Sequence, residues 1–121
     1  ITLFGGSRAQ ITLKNSLIAE GAGYGMHLPD GAVLGEFANN TFSNNAEAGI
    51  KLAADNVRML DAASIFTSGN GRNIIEVSSS NLPALPGGGE VQWKAFADKT
   101  PYRILGQITS ATGWKLEPGV T

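Results

Sequence analysis

Asn40-Thr41-Phe42-Ser43-Asn44-Asn45, followed shortly by Gly49-Ile50-Lys51-Leu52, holds the two patterns that decide the fold of this chain. In Ile50-Lys51-Leu52, two apolar residues flank a polar one, the period-2 signature of a strand with one buried face. The same triplet occurs as Ile1-Thr2-Leu3, Met26-His27-Leu28 and Ile75-Glu76-Val77, so that successive copies are 25, 24 and 25 residues apart. Gly25 and Gly49 precede two of the copies. The other half of the stretch repeats in phase. Asn15-Ser16-Leu17 lies 25 residues before Asn40-Thr41-Phe42, Ser64-Ile65-Phe66 follows 24 later, and Asn45 and Asn70 are again 25 apart. Two columns sharing one period are hard to obtain by chance, and a period of this length marks a solenoid.

Helical readings fail in the same regions, because Gly and Asn interrupt every candidate run and no stripe with a 3.6-residue period survives. A leucine-rich repeat has a similar length but needs a Leu-x-x-Leu-x-Leu-x-x-Asn core, which is absent. What remains is an all-β fold, a single-stranded parallel β-helix of about four to five coils, with strands of successive coils stacked at about 4.8 Å. The regular coils cover 1–77. From Ser78 to Glu90 two prolines and three consecutive glycines (Gly87, Gly88, Gly89) predict a surface loop that leaves the stack and returns near Val91 to Trp93. Residues 91–121 form a C-terminal coil module.

Composition narrows the function. The chain has 121 residues, one domain's worth, with 42% hydrophobic and only 16% charged residues. A net charge of −1 gives no footprint for a nucleic acid. With no Cys there is no disulfide frame, thiolate nucleophile or Cys-based zinc site. No apolar run is long enough to span a membrane. Neither a signal peptide nor an initiator Met is present, and the opening on Ile1-Thr2-Leu3 suggests a mature product or an excised piece.

Asn40 to Asn45 followed by Gly49 to Leu52 resembles the coil repeat of right-handed parallel β-helix proteins, the pectate-lyase-like superfamily. The C-terminal stretch is similar to a module of secreted bacterial β-helix proteins. It carries Trp93, Pro101-Tyr102-Arg103-Ile104, Gly106, Ile108 and Leu116-Glu117-Pro118-Gly119-Val120. The last motif is shorter here than the family form, lacking the residues between Leu and Glu. The resemblance covers most of the chain outside about 78–90 and implies a bacterial, secreted or cell-surface location. It speaks for fold rather than activity, since one fold hosts many chemistries.

With the outer residues of each triplet buried, the middle ones form an exposed column: Thr2, His27, Lys51, Glu76. Neighbours in it are about 5 Å apart, so Lys51 and Glu76 can pair and His27 is disfavoured as a cation. In polysaccharide-active relatives this sheet is the substrate floor, as the resemblance implies. Hydrolysis of a glycoside needs two carboxyl groups about 5 to 10 Å apart, and the column supplies only Glu76. Calcium-assisted lyase chemistry needs converging carboxylates, and Asp55, Asp61 and Glu76 are scattered in the repeat frame. An oxygen-only calcium site is the one metal site the composition allows, and it has no location in the sequence; no cofactor is otherwise implied. Arg58 and Arg72 are either uronate partners or solubilising residues. His27, the only histidine, is a ladder residue or an unoriented base. Trp93, Tyr102 and Trp114 either stack on sugar rings or seal the end of the core. Phe42, Phe66, Leu17 and Met26 are expected to pack inside, and Asn15 and Asn40 to stack at a corner as left-handed residues. Asn39-Asn40-Thr41 also matches an N-glycosylation acceptor, which the bacterial look of the sequence makes accidental.

No helix-like cap covers either end, so association through uncapped coils is expected. The sequence points to a non-catalytic segment of a secreted or cell-surface bacterial β-helix protein, a rigid spacer with a polysaccharide-binding face. Its rival is a fragment of a polysaccharide lyase or glycoside hydrolase acting on an acidic polysaccharide from the Thr2–Glu76 sheet. A second carboxylate near Glu76 in the same groove would favour hydrolysis, and a bound calcium with an adjacent Lys or Arg a lyase. An ice-binding β-helix would show regular Thr arrays, and this chain has none.

Overall fold

The structure, a computed structural model, describes residues 1–2, 10–85, 87–110 and 113–120. Leu3 of the first triplet, Pro86 of the loop and the terminal Thr121 lie outside the described residues. The strands follow one another as β1 (Gln10–Lys14), β2 (Leu17–Ala19), β3 (Met26–Leu28), β4 (Val33–Ala38), β5 (Thr41–Ser43) and β6 (Ala48–Ala53). After a 3-10 helix (Ala54–Met59) come β7 (Ile65–Ser68), β8 (Arg72–Ser78), β9 (Ser80–Leu82) and β10 (Val91–Trp93). β11 (Tyr102–Ile104), β12 (Ile108–Ser110) and β13 (Trp114–Leu116) complete the order.

All pairings among these strands are parallel, each with the strand one winding away. The result is a parallel β-solenoid of about four turns. Its longest sheet runs β3-β6-β8-β11 and is extended by a bridge from Thr2 to His27. On a second side β1 pairs β4; below it lie the 3-10 helix and the pair β9-β12, while β2-β5-β7 form the third side.

The repeat stacks as its period demands. Met26 lies over Ile50 and Ile50 over Ile75; Leu28, Leu52 and Val77 make a parallel column, and all six are fully buried. Phe42 and Phe66 stack at 5.2 Å between centroids, with Phe37 beside both at 6.1 and 6.3 Å and Phe96 edge-on to Phe66. Windings approach so closely at the turn into the third strand of the long sheet that a Cβ on Gly71 would sit 2.1 Å from the Ala46 carbonyl oxygen.

Three expectations change. Leu17 is 68% exposed, and Ile18 takes the inward place next to Phe42, because Leu17 pairs with Thr41 and Ile18 with Phe42. The left-handed residues at that corner are therefore Asn15 and Asn39 (φ 50° and 54°), not Asn15 and Asn40. Asn40 instead points inward, accepting from the Ser16 N–H and donating to the Leu13 carbonyl. The asparagine ladder that does bond winding to winding is the pair Asn45 and Asn70, joined Nδ2 to Oδ1 at 2.9 Å. Finally, Ser80–Leu82 stay in the stack as β9, with Leu82 in the core. The break starts only at Pro83, the first residue without an N–H to donate, and it contains Gly87, Gly88 and Gly89, all at positive φ.

Candidate ligand-binding face

The middle residues of the triplets form one ladder along the long sheet. Thr2 bridges His27, His27 pairs with Lys51, Lys51 with Glu76, and Glu76 with Arg103. Arg103 escapes sequence reading because the loop lengthens the last step, so the 24–25-residue period no longer points to it. Thr2 and Arg103 are exposed, and His27 and Lys51 are half-buried.

Glu76 departs from the expected column: it is buried, with 3% of its surface exposed. Both its oxygens are taken, Oε2 by the Tyr24 hydroxyl at 2.7 Å and Oε1 by Arg72 Nε at 2.5 Å. Lys51 stands beside Glu76 in register but is not its ion-pair partner; that place belongs to Arg72 on the same strand. Tyr24 is the centre of the cluster, with Lys51 Nζ 5.5 Å from its ring, the Arg72 guanidinium carbon 5.9 Å away, and the His27 ring at 5.8 Å. A signal for this second column existed in the sequence, since Tyr24, Ala48 and Arg72 are spaced by 24 residues.

The electrostatics follow from this packing. Burial pushes the Glu76 carboxyl upward, but the Tyr24 hydroxyl, the Arg72 guanidinium and the Lys51 charge outweigh it and hold the group below its usual range. Burial and the bond to Glu76 push the Tyr24 phenol up to about 12, so it stays a donor at neutral pH. Burial, and then the Lys51 charge, lower the His27 imidazole, leaving it neutral at pH 7.

Arg72 also reaches Glu47, Nη2 to Oε2 at 4.0 Å. One guanidinium thus holds two carboxyl groups within about 10 Å of each other, a span that glycoside hydrolysis uses. Hydrolysis further needs a protonated acid beside an ionised group, and Glu76 is held ionised.

The other candidates lie elsewhere. Arg58 sits in the 3-10 helix, its Nη1 against Met59 Sδ at 3.4 Å and away from the ladder that Arg72 joins. Asp55 is bonded to Ser80 and Asp61 to Ser64 and the Asn39 N–H, so neither converges on Glu76. Among the described residues no three His, Cys, Asp or Glu side chains gather around a common point. Trp93 is buried at 1% exposure, its ring 5.1 Å from Tyr102 and 4.8 Å from Trp114. The three converge, with Ile104, Leu116 and Val120, on an apolar pocket of about 230 Å³ at one end of the stack. A polar cleft of about 430 Å³, lined by Asp30, Ser79, Ser80, Asn81, Gln107 and Thr109, opens on the β9-β12 side. No helix among the described residues is long and apolar enough to cross a membrane.

Comparison with protein-family models, with curated proteins and with solved structures returns no match.

Proposed function

We propose that this chain is a non-catalytic segment of a secreted or cell-surface bacterial β-helix protein of the right-handed, pectate-lyase-like kind. It serves as a rigid spacer and binds a polysaccharide along the ladder of the long sheet. The observation that carries this reading is the state of Glu76. The one acid in the ladder is buried and bonded on both oxygens, while Thr2, His27, Lys51 and Arg103 remain at the surface at strand spacing. Such a face offers hydrogen-bond donors and positive charge to a chain laid across the coils, while the ladder's own carboxyl, Glu76, is not free to move a proton. Tyr24 and the two cations beside its ring keep the ladder side chains in place.

A second reading, a lyase or hydrolase fragment acting on an acidic polysaccharide, draws support from the two carboxylates on Arg72 and from the neutral His27. A panel of neutral and acidic polysaccharides separates the two when read for both binding and the release of unsaturated or reducing ends. Binding without product, weakened at least tenfold by Lys51→Ala with Arg103→Ala, is the expected result. Product formation would replace this reading by the enzymatic one, and no binding to any polysaccharide would remove the binding role and leave the spacer.

A further inference from the structure

On the flank of the stack, where the 3-10 helix stands between β4 and β9, six polar residues line the cleft of about 430 Å³. Asp30 comes from the turn after β3, Ser79, Ser80 and Asn81 from the start of β9, and Gln107 and Thr109 from around β12. Asp30 follows β3 and Gln107 follows β11, three steps apart in the long sheet, so the cleft runs roughly 14 Å along the side of the solenoid. Ser80 is engaged from within, its hydroxyl accepting from the Asp55 N–H at 2.9 Å and donating to Asp55 Oδ1 at 3.3 Å. The side chains of Asp30, Ser79, Asn81, Gln107 and Thr109 make no hydrogen bond or ion pair with another described residue. Ser79 keeps its place because position 106 is Gly: a Cβ there would stand 2.0 Å from Ser79 Oγ.

We propose that this cleft is a glycan site of its own, separate from the ladder, and that it takes a short neutral oligosaccharide. Each sugar hydroxyl donates and accepts at once. The lining answers both functions: the Asp30 carboxylate accepts, while the Asn81 and Gln107 amides and the Ser79 and Thr109 hydroxyls do either. The volume is that of an ordinary small-ligand site, but the apolar lining that holds aromatic or lipid-like ligands is missing. The length exceeds one sugar ring, which calls for an oligosaccharide. Five of the six lining residues are uncharged and none is Lys or Arg, so a uronate or sulfate would meet the Asp30 charge without a counter-ion. That charge is felt nearby, since the Asp55 carboxyl is pushed up by burial first and by Asp30 second. The long sheet has the opposite character, with Lys51 and Arg103 supplying positive charge. The two sides therefore select differently, and neither site depends on the other.

Amide chemical shifts of the isotope-labelled chain test this, in titrations with maltotriose, cellotriose, xylotriose and mannotriose and with trigalacturonate as the acidic control, all in EDTA. At least one neutral trisaccharide should move the amides of Ser79, Ser80, Asn81, Gln107 and Thr109 saturably, and those of His27 and Lys51 should stay still. The Kd should be on the order of 1 mM, because hydrogen bonds exchanged with water leave a small surplus. Trigalacturonate should leave the cleft amides unmoved. Asn81→Ala with Thr109→Ala, both exposed, should weaken binding roughly fivefold by removing two partners of the sugar hydroxyls, with an unchanged circular dichroism spectrum. Asp30→Lys should admit trigalacturonate to the same amides, a gain that mere damage to the fold would not show. Each of four results would overturn the proposal: no neutral trisaccharide moving the cleft amides, binding indifferent to Asn81 and Thr109, trigalacturonate bound equally well by the unaltered chain, or shifts that appear only when calcium replaces EDTA. Shifts confined to the ladder would also overturn it while supporting the polysaccharide reading of the long sheet.

Discussion

His27 carries the only imidazole in the chain, and two neighbours set its charge. Burial, and secondly the Lys51 ammonium, keep its folded pKa below the ordinary 6.5. A base whose pKa is lower in the fold is protonated more readily when unfolded. Its contribution to stability is therefore most favourable above pH 6.5 and falls as the pH drops through 6.5 toward the folded value. Lys51→Gln removes the second cause and leaves the first. The NMR titration midpoint of the imidazole should rise yet stay below 6.5; an unmoved midpoint would show that the Lys51 charge is not felt there. Glu76 adds in the same direction, since its lowered carboxyl stabilises the fold above 4.5 and that stabilisation is lost as the pH falls through the folded value. The ladder position of both residues was readable from the spacing of apolar pairs. The burial of Glu76 was not, because it depends on Tyr24 reaching across two windings, and nothing local to Glu76 announces that.

Asparagines tie the windings together at the level of the strands. Asn70 Nδ2 donates to the carbonyls of Phe42 and Phe66, and its Oδ1 accepts from the Asn45 backbone N–H and from Asn45 Nδ2. These groups are buried with it, so Asn70→Ala leaves several of them without partners inside the core. The expected cost is about 2–4 kcal/mol in urea denaturation, since an orphaned buried polar group loses its full hydration. A change below about 1 kcal/mol would mean that water replaces the side chain. The Asn45–Asn70 spacing was legible because both residues occupy the same point of the period. The Asn15–Asn40 alignment was off by one because β2 registers with β5 at 24 residues, and a one-residue slip turns every side chain to the other face. That slip is what sent Leu17 outward and Ile18 inward. β9 was missed for a related reason: the serines of Ser78-Ser79-Ser80 read as loop, although Ser80 caps the Asp55 N–H of the winding above.

A solenoid distributes its stability over neighbouring windings, so identical substitutions should cost different amounts along the axis. Ile50 is fully buried between Met26 and Ile75, whereas Ile104 is 47% exposed on the last winding. Ile50→Ala should lower unfolding stability by about 3 kcal/mol and Ile104→Ala by less than about 1 kcal/mol in urea denaturation. Equal losses would mean that both windings are equally covered. Periodicity alone established the winding, the parallel pairing and the buried columns of the long sheet, because stacking maps equal positions onto each other, whereas on the β2-β5-β7 side a one-residue slip left the inward face undecided. Contacts between residues far apart in the chain were left to the packed molecule. They took Glu76 out of solvent, joined Tyr24, Lys51 and Arg72 into one cluster, carried Arg103 into the ladder across an irregular loop, and gathered Trp93, Tyr102 and Trp114 around one apolar pocket. Such contacts depend on side-chain reach across windings and on loop length, neither of which leaves a period to read.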